Sequence, residues 1–219
     1  PLAKLAAKVM AGRTLAELGF TREVHPSYFS VKEAVFPFVR FPGIDIVLGP
    51  EMKSTGEVMG IDRSFESAFF KALIAAGLAM PDRGSILITL ADEDKSEALD
   101  MIRQLSRMGF RLYATEGTAS MIERAGMPVQ MVTKRIGRGS PDMLDVILDG
   151  TVDGVINTPG PADKEILDGL EIRRAAVERG IPCMTSVDTA RTVVDAMEKA
   201  SSIYAVESIQ SYRRTGFGY

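Results

Sequence analysis

The chain has 219 residues, 46% of them hydrophobic, with 26 basic against 29 acidic side chains and a formal net charge of -3. That near balance excludes a long-range field for nucleic acid or an anionic membrane, so any anion must be held by local groups. A single cysteine, Cys183, excludes an internal disulfide framework and fits a reducing cytoplasm, and no apolar stretch approaches the ~18 residues of a membrane span.

The chain opens on Pro1, with Leu2, Leu5, Ala6, Val9 and Met10 already at helical spacing, and so reads as an excised piece of a larger protein. A short helix is expected around Leu15 to Leu18. From Tyr28 to Phe36 the period changes to that of a strand, one face of which carries Phe29, Val31, Glu33 and Val35, with Pro37 at its end. Glu33 is a carboxylate in an apolar row. It either pairs with a Lys or Arg at the strand edge or faces a site as a buried acid. Residues 42–62, rich in Gly and Pro, read as a hairpin and loops, and a helix from Ser64 to Leu78 follows. Pro and Gly punctuate Met80 to Gly84, which sets a first domain over residues 1–80 and a linker over 81–84.

From Ser85 short apolar runs alternate with longer amphipathic ones, the pattern of a parallel sheet covered by helices on both faces. The expected strands are Ile86 to Leu90, Arg111 to Thr115, Val129 to Val132, Gly154 to Asn157 and Pro182 to Thr185. The expected helices lie near Lys95 to Met108, Thr118 to Ala125, Pro141 to Leu148, Lys164 to Arg179 and Thr189 to Ala200. This α/β domain covers residues 85–200, and a frayed polar tail takes 201–219.

Ligands of open parallel sheets sit beyond the carboxyl ends of the strands, where helix N-termini present free N–H groups. The strand ends here offer Lys95, Thr115, Thr118, Lys134, Asn157 and Thr158, together with the N–H groups around Gly117. Lysines supply charge, hydroxyls supply neutral donors, and a glycine lets backbone approach an oxyanion, so the set suits a phosphate. Each has an ordinary role too, as a helix cap, a solvated surface charge or a turn residue. Phosphate-loop, dinucleotide and metal-cluster motifs are missing, and His25, the sole histidine, lies far from these ends in sequence. Asp92, Asp142 and Asp163 are acids at helix starts, a placement without specificity for catalysis.

The stretches KVMAGRTLAELGF, SVKEAVFPF and GPEMKSTGEVMGID resemble the end of the second ATP-grasp half of the carbamoyl phosphate synthetase large subunit. YATEGTA, the lysine in MVTKR, and VINTPG resemble its regulatory domain, which has the Rossmann-like, methylglyoxal-synthase-like fold. The resemblance covers essentially the whole chain. It implies an α+β remnant of an ATP-grasp domain followed by a five-stranded parallel domain that binds a nucleotide monophosphate effector such as uridine or inosine monophosphate. In that family the enzyme makes carbamoyl phosphate from bicarbonate, ammonia drawn from glutamine and two ATP, for arginine and pyrimidine synthesis. ATP and Mg or Mn belong to the intact subunit. The expected partners are the rest of the large subunit, a glutaminase small subunit and a further copy of the chain; this piece alone is expected not to turn over. Lys95, Thr115, Gly117, Thr118, Lys134, Asn157 and Thr158 match the effector-phosphate positions, with Pro159 where a second Thr stands in the enteric version. Glu33 matches a carboxylate linked to the activator ornithine; Thr185 keeps one of its partners, while Cys183 replaces a Tyr.

Two other functions fit the fold. Methylglyoxal synthase needs an aspartate in the loop that here reads RIGRGSPD, where Ser140 takes its place and Asp142 is offset. An assembly module with a vestigial pocket would have the same core.

Overall fold

A computed structural model describes residues 1–36, 56–133, 141–158, 160, 163–200 and 206–215. Lys134, Ser140, Pro159, residues 37–55 and residues 201–205 lie outside the described residues. Two compact units form, one from Pro1–Ser27 with Ser208–Tyr219 and one from Tyr28–Glu207.

The first unit opens with helix α1, Leu2–Met10. The short helix expected around Leu15 to Leu18 is a single capped turn. Glu17 N donates to Thr14 Oγ1 (3.2 Å) and Thr14 N donates to Glu17 Oε2 (3.0 Å), a reciprocal cap. Gly12 and Gly19, at φ 94° and 66°, bracket this turn and keep it from growing into a helix.

In the second unit β1 (Phe29–Val35) pairs antiparallel with β2 (Gly56–Asp62), Glu33 opposite Val58. Helix α2 (Phe65–Ala76) lies on this ribbon; Ser64 Oγ caps its start by accepting from Ser67 N at 3.2 Å, and Gly77 at φ 74° ends it. Lys71 Nζ reaches back to Asp62 Oδ2 (2.7 Å) and to the Ile61 carbonyl (3.1 Å), tying helix to strand. Burial pushes the Asp62 carboxyl up, but its bonds from Lys71 and the Arg63 and Ser64 N–H groups outweigh this and hold it below its ordinary value. A group depressed in the folded state stabilises above its unfolded pKa and loses that contribution as pH falls through the folded value. Acid titration of stability is therefore expected to be shallower in Asp62→Asn than in the parent, read from denaturant midpoints between neutrality and the acidic carboxylate range. Equal slopes would contradict it.

The remaining elements alternate: β3 (Ser85–Thr89), a 3₁₀ turn (Asp92–Asp94), α3 (Lys95–Arg107), β4 (Arg111–Thr115), α4 (Glu116–Arg124), β5 (Gln130–Val132), α5 (Met143–Leu148), β6 (Gly154–Asn157), α6 (Asp163–Glu178), β7 (Cys183–Met184) and α7 (Val187–Ala200). The five strands form one sheet in the order β5-β4-β3-β6-β7, every pair parallel. Alternation along the strands divides the core between the faces. Ile86, Ile88, Leu112 and Ala114 pack with Met101, Ile102, Ile122 and Val194 on one side. Leu87, Tyr113 and Val155 pack with Met143, Ile147, Ile172 and Ala176 on the other. Helices cover both faces, as the alternation implies.

Phe70 and Leu73 of α2, and Met80 after it, join the first of these cores, so residues 81–84 run inside the second unit. From β3 the chain moves outward through β4 to β5 and then returns to place β6 on the other side of β3. That reversal opens a crevice at the carboxyl ends of the central strands. The last helix, α8 (Ile209–Thr215), belongs to the first unit and replaces fraying over that part of the tail.

Candidate functional site

The carboxyl ends of β3, β4 and β6 open on a cavity of about 470 Å³. Lys95, Thr115, Gly117, Thr118, Asn157 and Thr158 all line it, although they come from separate stretches of sequence. Lys134 lies outside the described residues.

The floor is polar yet buried: Thr89, Thr115, Thr118, Asn157 and Thr158 are each less than 10% exposed. Buried polar groups require partners, and the ones found tie the strand ends to one another. Leu90 N donates to Thr118 Oγ1 (3.2 Å), and Ala91 N donates to Thr158 Oγ1 (3.0 Å). The loop after β3 is thus pinned by hydroxyls from β4's helix and from the end of β6. A hydroxyl that accepts from backbone keeps its own proton to donate, so both threonines retain a donor for a ligand oxygen. Thr115 stands at the N-cap position of α4 but makes no side-chain capping bond. Its Oγ1 instead meets Thr89 Oγ1 at 3.4 Å. Asn157 Nδ2 donates to the Gly169 carbonyl (3.4 Å), which ties the end of β6 to α6.

Helix α4 starts at Glu116, two residues before the expected Thr118, so Gly117 and Thr118 fall in its first turn. The N–H groups there have no partner within the helix and carry its positive end. Lys95, the first residue of α3, lays its ammonium beside this turn: a Cβ on Gly117 would stand 2.8 Å from Lys95 Nζ. Gly117 is therefore the opening that admits the lysine head. An ammonium, helix N–H groups and hydroxyl donors around one hollow provide what a phosphate needs.

Thr89 and Asp168 also line the cavity and were not singled out from the sequence. Thr89 closes a strand of apolar residues, where Thr is an ordinary β-former. Asp168 is one acid among several on α6, and no spacing marks it.

Two of the acids at helix starts, Asp142 and Asp92, have partners. Asp142 Oδ1 accepts from Leu144 N and Asp145 N, both at 2.9 Å, and caps α5. Asp92 Oδ1 is 2.5 Å from Lys95 Nζ.

Glu33 lies elsewhere, on a second cavity of about 490 Å³ shared with Phe65 and Phe69 of α2, Cys183 of β7, and Asp188, Thr189 and Thr192 of α7. Glu33 is half-buried rather than buried, and the cavity it lines is built partly from residues beyond Gly84. Thr185 is exposed. Burial pushes the Cys183 thiol up to about 12, against a small opposing effect of Arg173, so the sulfur is a protonated lining group at neutral pH.

Among the described residues no helix is long and apolar enough to cross a membrane. Residues 97–185 match the MGS-like domain family. The carbamoyl phosphate synthase large chain of Thermomicrobium roseum is 47% identical over 215 residues, 97% of this chain and 20% of that protein. That of Archaeoglobus fulgidus is 44% identical over 214 residues, again 97% of this chain and 20% of the relative. The chloroplastic, arginine-specific large chain of Oryza sativa subsp. japonica is 44% identical over 217 residues, 98% of this chain and 18% of its own length. The chain thus spans about a fifth of the length of these curated relatives.

Proposed function

The chain is a homologue, along nearly its whole length, of part of the carbamoyl phosphate synthase large chain, and on that premise we propose that its parallel-sheet unit is the effector-binding part of such an enzyme. The cavity holds a nucleoside monophosphate of the uridine or inosine type by its phosphate. Residues 1–80 contribute the end of an ATP-grasp domain. The whole protein makes carbamoyl phosphate from bicarbonate, glutamine-derived ammonia and ATP, in the cytoplasm, with a glutaminase small subunit as partner and ATP with Mg or Mn bound upstream. This piece regulates and does not turn over by itself.

The observation that carries the proposal is the convergence of Lys95, Thr115, Gly117, Thr118, Asn157 and Thr158 on one cavity at the sheet's carboxyl edge. Two of the hydroxyls are positioned by backbone N–H groups and keep a proton to donate. Lyase chemistry lacks comparable support, because Asp142, the nearest acid to the aspartate that the chemistry needs, is buried as a helix cap.

Calorimetric titration with a panel of nucleoside monophosphates tests the reading. At least one should bind, and Lys134→Met, which keeps the stem and removes the charge, should weaken it by at least about tenfold, the worth of one charge-assisted hydrogen bond. Binding by none of the panel would sink the proposal and favour a vestigial pocket.

A further inference from the structure

We propose that Asp92 is an internal anion that holds the Lys95 ammonium over the start of α4 and competes with a bound phosphate for it. The inference rests on the reading of this cavity as a phosphate site. Side chains three residues apart in a 3₁₀ turn eclipse one another, and the turn Asp92–Asp94 leads directly into Lys95. The two therefore meet, with Asp92 Oδ1 2.5 Å from Lys95 Nζ.

The pair is asymmetric. The Lys95 side chain is 21% exposed, whereas that of Asp92 is 95% exposed. The lysine lies against Gly117, at the positive end of α4, where a cation is unfavourable unless an anion accompanies it. Asp92 supplies that negative charge from the solvent side. A phosphate entering the cavity reaches the same ammonium together with helix N–H groups and threonine hydroxyls, contacts that a carboxylate in water does not make. The carboxylate must then give up the lysine for the phosphate to take it. Asp92 thus tunes the affinity of the site downward while keeping the lysine in place before the ligand arrives. Glu93 also lines the cavity and provides a control for nonspecific charge.

Titration of the 219-residue chain with inorganic phosphate tests this. Asp92→Asn should bind about two- to fivefold more tightly, the scale of an exposed ion pair. Asp92→Glu, which retains the charge, should stay near the parent, and Glu93→Gln should change less than Asp92→Asn. In a Lys95→Met background the gain from Asp92→Asn should vanish. Unchanged or weaker binding by Asp92→Asn, a gain of equal size in Glu93→Gln, or a gain that persists without Lys95 would each overturn the proposal while leaving the site intact. A parent chain that binds no phosphate would overturn the site and this inference with it.

Discussion

Gly117→Ala is expected to give a chain at least as stable as the parent that binds phosphate about tenfold more weakly. Gly117 sits in the first turn of α4, and its φ is not in the left-handed region, so the backbone there accepts a side chain. Alanine favours a helix over glycine by up to about 1 kcal/mol, which would raise rather than lower stability. The atoms a new Cβ would meet are Nζ and Cε of Lys95, at 2.8 and 3.9 Å. These form the end of a flexible chain and can move without disturbing the fold. The lysine head then leaves the turn, and the loss of one hydrogen bond to a charged group, worth roughly 1.5 to 3 kcal/mol, appears as tenfold weaker binding or more. Thermal midpoints and phosphate titrations on the same samples separate the two effects. Unaltered affinity would show that the ammonium position over Gly117 does not matter to the ligand.

Gly60→Val should be among the most damaging single changes in the second unit, costing about 3 kcal/mol. A Cβ at residue 60 would overlap the Ala68 carbonyl and come within 2.6 Å of Ala72 N. Both are backbone atoms of α2, and Ala68 and Ala72 are buried, so relief requires moving the whole helix off the ribbon. Because a domain of this size is stable by only about 5 to 15 kcal/mol, the denaturation midpoint should fall visibly. Gly56→Ala on the same strand, where nothing lies within 4 Å of the added Cβ, should change little. Similar midpoints for Gly60→Val and the parent would mean that α2 is not seated as described.

The central strands of the sheet were legible because each, buried on both faces along most of its length, reads as an apolar run. Arg111 to Thr115 and Gly154 to Asn157 match their expected bounds, and Ile86 to Leu90 is displaced by one residue. Strand order was not legible, since nothing in the connection before β6 says that it returns to the far side of β3. The site residues at strand ends were found by the rule that ligands gather there. What lay beyond local pattern is the use made of them. Thr115 and Thr118 look like helix caps in sequence, but Thr118 serves Leu90, a residue 28 positions away, and Thr115 faces Thr89. Such nonlocal partners leave no periodicity to read. The alternation that marked Glu33 as odd identified a face without saying what lay opposite, because α2 and α7 complete that cavity from later in the chain.

A crystal structure of the chain soaked with inorganic phosphate tests the central claim most directly. The account predicts the ion at the carboxyl edge of the sheet, within hydrogen-bond distance of Lys95 Nζ, the Gly117 or Thr118 N–H and at least one of the Thr115, Thr118 and Thr158 hydroxyls. A phosphate bound only elsewhere, with the Asp92 and Lys95 pair intact and the cavity holding water alone, would contradict it.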